Sequence, residues 1–336
     1  MTIAFGGLKN VAQGAYLQAA LLLLLSLQCT DISAPTPDLA INVSQMVIFS
    51  QMLIFFWRHS QQQAIATDAL FAFTLQCFLI STLKLSGMAF GLTALITVFW
   101  KCARIDKANP TLYGKLLILV GIFVFIHIAR SLLLSGALFY PASFGLFSGA
   151  SWAIPLETIQ MELNWTYSWA RRPGYEATQV LGNWDWFKPW LKALPLSSLI
   201  CGLTIAIFLP CFWMAKRKNG ANIPVSVTNF LPTAQLVFIP LLTAILFWFA
   251  TAPDIRFLGV IHILLALLSV WLTWSAINHR ANLKTESQIF KYSFVSAIMI
   301  LIALQLIRPK LFTGFEPLPT ITLKANQTHS GQLIYS

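Results

Sequence analysis

Six ionisable residues, Asp31, Asp38, Lys84, Arg130, Asp254 and Arg256, stand in or beside long apolar runs where a charge needs a reason. An ionisable side chain at membrane depth costs roughly 2.5–3.5 kcal/mol on insertion scales, so each is a functional candidate. Arg130 lies about two turns before the end of its apolar run, where a cation calls for a carboxylate or a bound phosphate. In Thr251-Ala-Pro-Asp-Ile-Arg-Phe257, Pro253 interrupts the run and places Asp254 and Arg256 at the start of a helix. Asp254 suits the positive end of the helix dipole and could be a cap. Arg256 does not suit it and points to an anion or a partner acid. Lys84 could snorkel out of a tight hairpin or meet an anionic ligand. Asp31 and Asp38 share a segment without a basic residue. They could bind a metal or act as a general base, or form a solvated turn in which Asp38 caps a helix. Asp68 reads as solvated near a helix end, and His127 and His262 as core histidines with a satisfied hydrogen bond.

Other chemistries lack their motifs. There is no HExxH, GxSxG or Walker sequence and no nucleotide-binding glycine fingerprint, so metalloprotease, serine hydrolase and ATP-driven pump readings have no support. The five cysteines, Cys29, Cys77, Cys102, Cys201 and Cys211, show no CxxC or Cys/His spacing and read as small core residues. No metal site is assigned, and the cofactor is unknown.

The elements that must position these residues follow from composition. Of 336 residues 57% are hydrophobic and 10% charged, with mean hydropathy +0.71, against roughly 25% charged in a soluble domain. That excludes a soluble globular protein and predicts an all-α polytopic transmembrane bundle. Counting apolar runs gives about nine spans, near 12–29, 40–57, 64–82, 87–103, 115–137, 195–214, 228–250, 257–277 and 291–307. Residues 1–307 form the transmembrane domain, with an uncleaved first helix, and 308–336 a polar, partly disordered tail. The net charge of +11 is scattered between the runs rather than gathered into a patch, so no nucleic-acid partner is expected.

Loop charge sets the orientation. Lys9, Arg58, Lys101, Arg104, Lys107, Lys115, Lys216, Arg217, Lys218, Arg280, Lys284 and Lys291 fall in one set of loops, which is read as cytoplasmic. The opposite short loops hold only Lys84 and Arg256, so the N-terminus is inside and the tail outside. On that exoplasmic side lies 138–194, far longer than a usual connection and bearing six tryptophans. Pro155 with Leu156, Ile159, Glu162, Leu163 and Tyr167 predicts an amphipathic helix. Asn183 is placed to cap a second, Trp184 to Ala193. The segment reads as an ordered interfacial lid.

Several strings together resemble a family. Ala34-Pro-Thr-Pro-Asp-Leu39, Phe78 to Ser86, Ile128 to Gly136 with Tyr140-Pro141, Trp152-Ala-Ile-Pro155, Asn164 to Gly174 and Thr251 to Phe257 are similar to an uncharacterised bacterial family of multi-pass membrane proteins. That family looks like GT-C glycosyltransferases, which move a sugar from a polyprenyl-phosphate carrier at the exoplasmic face. The resemblance implies a cell-envelope protein of the bacterial inner membrane. Its partners would be membrane lipids and a polyprenyl-phosphate sugar. The matched family is longer at its N-terminus, where the catalytic acid is expected. Either Asp31 or Asp38 substitutes for that acid, or the chain is a split or non-catalytic member with a partner membrane subunit. In the catalytic reading Arg130, Arg256 and Lys84 bind the lipid phosphate, and Asp38, Asp31 or Asp254 deprotonates the acceptor. A lipid or polysaccharide transporter is the reading from another class; the repeat symmetry it would carry is not evident.

Overall fold

The computed structural model describes residues 38–60, 63, 65–103, 110–219, 235–277, 325–327 and 333–335. The expected spans 12–29 and 291–307, the first residues of 228–250, and Asp31 lie outside the described residues. The chain divides into two compact units, 1–286 and 287–336.

Among the described residues the first unit is helical. Its elements are α1 (Asp38–Ser60), α2 (Thr67–Leu83), α3 (Leu85–Ala103), α4 (Pro110–Ser135), α5 (Leu156–Arg171), α6 (Ala177–Val180), α7 (Phe187–Ala193) and α8 (Leu196–Asn219), then a 3-10 turn (Gln235–Val237), α9 (Phe238–Thr251), α10 (Ile255–Leu258) and α11 (Ile261–Ile277). Three helical stretches, Asp38–Ser60, Gly114–Ser135 and Leu196–Met214, are long and apolar enough to cross a membrane; Thr67–Leu83, Leu85–Lys101, Gln235–Thr251 and Ile261–Thr273 are shorter apolar helices. The second unit contributes, among the described residues, an antiparallel pair, β1 (Ala325–Gln327) and β2 (Leu333–Tyr335), with Asn326 opposite Ile334. A two-stranded pair within the expected polar tail departs from a purely helical reading. The two strands lie close in sequence, so the pairing is local.

α3 is the organising helix, packing against α1, α2 and α9, while α8 lies along α11 and α11 also touches α9 and α1. Buried Phe56, Phe73, Phe90, Leu241 and Leu264 fill the space between them. Lipid tails are as apolar as leucine, so in a membrane such helices gain most by close van der Waals approach at small residues. Gly87 and Gly91 provide it here. A Cβ on Gly91 would stand 2.6 Å from the Cys77 carbonyl oxygen and 2.7 Å from Ile80 Cγ2, and one on Gly87 2.7 Å from the Ile80 carbonyl oxygen. The two helices therefore touch backbone to backbone, and the tight hairpin expected at Lys84 is turned by that residue alone, in extended conformation (φ −158°, ψ 138°).

The other turn that matters follows α9. Pro253 cannot continue a helix, Asp254 caps α10 by accepting from the Arg256 backbone N–H, and Gly259 ends it at φ +62°. The turn is fastened to α1. Gln45, fully buried, accepts from the Val260 N–H at 3.0 Å and donates Nε2 to the Leu258 carbonyl at 3.4 Å.

Candidate functional site

Four of the six sequence candidates meet at one end of the bundle. Asp38 is the first residue of α1 and Lys84 the hairpin tip, and Lys84 Nζ donates to Asp38 Oδ1 at 2.6 Å. The same ammonium lies 4.4 Å from the ring centre of Phe257, which brings the hairpin against α10. There Asp254 both caps the helix and holds Arg256 as a fork: Arg256 Nε donates to both carboxylate oxygens at 3.1 and 3.2 Å, and Nη2 to Oδ2 at 2.7 Å. The hydrogen bond to Asp254 raises the Arg256 pKa first of all, burial works against it, and the charges of Asp254 and Asp38 raise it further. The two ion pairs thus sense one another.

Magnitudes separate what holds this site from what it offers. Arg256 is about half exposed, at 54%, and an exposed ion pair contributes about 0–1 kcal/mol to stability. The buried bonds of Gln45 fix the turn; the ion pairs do not. What the pairs offer is donors. A guanidinium carries five N–H groups and an ammonium three. Arg256 uses two on Asp254 and Lys84 one on Asp38, which leaves hydrogen-bonding capacity for an anion beside two carboxylates that can take a proton.

The 138–194 segment docks on this turn. α5 forms as its apolar spacing predicts, behind Pro155. The second expected helix begins at Phe187 instead of Trp184. Asn183 Oδ1 accepts from the Asp185 N–H and closes a turn there, so the cap lies one turn ahead of the helix. The ring of Trp169, on α5, faces the Arg256 guanidinium at 4.8 Å. Arg171 donates Nη1 to the Thr251 carbonyl at 2.8 Å and Nη2 to the Ala250 carbonyl at 3.0 Å, satisfying orphan carbonyls at the end of α9. Burial lowers its pKa from the usual arginine value, and the group stays charged. Trp190 Nε1 donates to the Pro253 carbonyl at 2.6 Å, and Trp248 Nε1 to the Asp254 carbonyl at 2.7 Å. Removing the clamp should be costly. Arg171→Ala is expected to lower stability by about 1.5–3 kcal/mol, the scale of a charge-assisted bond, and to open the segment to protease, which a thermal melt and limited proteolysis check.

A separate tie joins the start of the segment to α5. The Tyr140 hydroxyl donates to Glu162 Oε2, and this bond, with lesser contributions from burial and the Glu162 charge, pushes the Tyr140 pKa up to about 12. The sign is that of a raised acid. The stabilisation is complete below the unfolded tyrosine value of about 10 and is lost as pH rises through the folded value. Absorbance titration should show Tyr140 ionising late, a step returned to the ordinary range by Glu162→Gln.

The remaining candidates are placed differently. Arg130 is exposed near the end of α4, with no ion pair among the described residues, so the partner its position calls for is not supplied there. Arg256 has its partner acid, Asp254, two residues away. Asp68 is exposed in the first turn of α2. His262 Nε2 lies 3.4 Å from Ser198 Oγ, a contact between α11 and α8. Among the described residues no group of three His, Cys, Asp or Glu side chains could hold a metal ion. Sequence reasoning missed Gln45, Gly91 and Arg171. A Gly-x-x-x-Gly spacing signals the second; the other two act on backbone carbonyls and N–H groups distant in sequence and leave no local signal.

A family model described as Domain of unknown function (DUF8201) matches residues 2–264. The chain belongs to that family. Both ion pairs, the 138–194 segment and the turn through Gly259 lie inside the DUF8201 match. No curated protein matches the chain, and no solved structure does.

Proposed function

We propose that this DUF8201 protein is a multi-pass protein of a bacterial inner membrane that transfers a sugar from a polyprenyl-phosphate carrier at the exoplasmic face. The observation that carries the reading is the meeting of Asp38–Lys84 with Asp254–Arg256 beneath the tryptophan-bearing segment. Nine spans with the N-terminus inside put Asp38, Lys84, the turn 251–260 and the segment 138–194 on one side, and the contacts among them agree with that grouping. Trp169, Trp190 and Arg171 reach the site from the segment, as a cover over it would.

In the mechanism, the free N–H groups of Arg256 and Lys84 bind the carrier phosphate and stabilise the charge it gains as the sugar–oxygen bond breaks. Asp38 or Asp254 accepts the proton of the acceptor hydroxyl as that oxygen bonds to the sugar's anomeric carbon. Phosphate contact loosens the carboxylate from its cation and so frees the base. The test is transfer from labelled polyprenyl-phosphosugar in proteoliposomes. Product from the wild type and its loss in Lys84→Ala/Arg256→Ala support the reading; normal turnover by the double variant removes the site assignment.

A further inference from the structure

Beside the ion-pair cluster, behind the last turn of α5, is a cleft of about 530 Å³ whose walls include Arg171, Asn183, Trp184, Trp186 and Phe249. Its size falls within the roughly 300–1,000 Å³ of small-molecule sites. The wall is built around one indole. Trp184 is 68% exposed, yet it is stacked on Trp186 at 5.6 Å and 22° and on Phe249 at 6.4 Å and 28°. Being braced from behind fixes the ring plane, so a flat, preorganised π face is presented to the solvent side.

We infer that this cleft is a carbohydrate subsite in which a neutral sugar ring stacks on Trp184. Three features select that ligand class. A flat indole matches the C–H face of a pyranose, whereas an acyl chain would leave the donors at the rim unmet. Among the described residues Arg171 is the one charged group lining the cleft, and its charge already faces the carbonyls of Tyr167, Ala250 and Thr251, which favours a neutral ligand over an anion. The rim still has donors for hydroxyls: Arg171 uses three of its five N–H groups, and Asn183 uses one of its two on the Gln179 carbonyl.

Position adds the function. Trp169 and Arg171 stand two residues apart on α5, one against Arg256 and the other in the cleft wall, so the last turn of α5 links the cleft to the ion-pair cluster. The assignment of the cleft to the acceptor glycan rests on the glycosyltransferase reading; sugar binding itself rests on the cleft alone.

The experiment uses the full chain in lipid nanodiscs, free of glycosidic detergent, titrated with maltopentaose and chitopentaose and read by tryptophan fluorescence and saturation-transfer NMR. Saturable binding is expected, weakened about tenfold or more by Trp184→Ala, a factor equivalent to about 1.4 kcal/mol, and unchanged by Trp152→Ala outside the cleft. Absence of a saturable response up to about 50 mM, far above a millimolar Kd, overturns the subsite. So does quenching of Trp184 by brominated acyl chains that neither saccharide relieves, which would give the cleft to lipid. Saccharide binding without any sugar transfer leaves the subsite standing and removes the glycosyltransferase reading. Full transfer by Trp184→Ala with no saccharide response does the reverse.

Discussion

Gly259→Val is expected to destabilise the protein by about 3–5 kcal/mol, from backbone strain and overpacking together. Gly259 holds φ +62° with ψ −135°, a combination that a β-branched residue does not adopt without strain. Space is refused as well. A Cβ there would stand 2.4 Å from Asn42 Oδ1 and 2.6 Å from Gln45 Oε1, both on buried side chains of α1. These amides cannot swing away freely, because Gln45 holds the backbone on either side of the same glycine. The turn must therefore lift off α1, and Asp254 and Arg256 move with it away from Asp38. Thermal unfolding in detergent measures the loss. Gln45→Leu should show a smaller loss of about 1–3 kcal/mol for the unpaired backbone groups. Equal melting of Gly259→Val and wild type would mean that the turn is not fastened in this way.

The second large effect is on turnover, not on stability. Arg256→Ala is expected to slow sugar transfer by about 10²–10³-fold, the range found when one donor to a developing oxyanion is removed. Its melting point should scarcely move, since the exposed pair with Asp254 is worth about 0–1 kcal/mol and Asp254 keeps its cap to the residue 256 backbone N–H. Arg256→Lys keeps the charge but loses the planar fork, and should recover only part of the rate. A variant as slow as Arg256→Ala that had also lost its fold would show it in the melt, so the two readouts together isolate the chemistry. Lys84→Ala should act in the same direction, because its ammonium reaches both Asp38 and the Phe257 ring.

How much of this was legible in the sequence depends on the range of each interaction. The apolar runs at 40–57, 64–82, 87–103, 115–137, 195–214 and 257–277 each coincide with a helix, because a run of that length has few other ways to satisfy its backbone. The break at Pro253 and the cap at Asp254 were readable too, as they are written within four residues. Pairings across the chain were not. Nothing in the local pattern tells Lys84 that its acid is Asp38, 46 residues earlier, or Gln45 that it will hold a turn 213 residues later. Arg171 reads locally as one more charge on a mixed surface, and only the docking of α5 on the end of α9 turns it into a clamp. Sorting charges by loop put Asp38, Lys84, Asp254 and Arg256 in one group, and these four do meet; it also put Arg130 there, which makes no ion pair among the described residues. It found their state only in part. Arg256 was expected on an anion or a partner acid and stands on Asp254, whereas Lys84 was expected to snorkel or to meet an anionic ligand and stands on Asp38.

That state makes the functional claim sharp, since the same four side chains either exchange their ion pairs for a lipid phosphate or serve only to join α1, the hairpin and α10. The direct measurement is sugar transfer from labelled polyprenyl-phosphosugar by the purified chain in proteoliposomes, compared with Lys84→Ala/Arg256→Ala of equal melting point. Labelled glycan product from the wild type and none from the double variant is the expected result. A wild-type chain that forms no product, or a double variant that forms it at the wild-type rate, would contradict a phosphate-binding site at this pair of ion pairs.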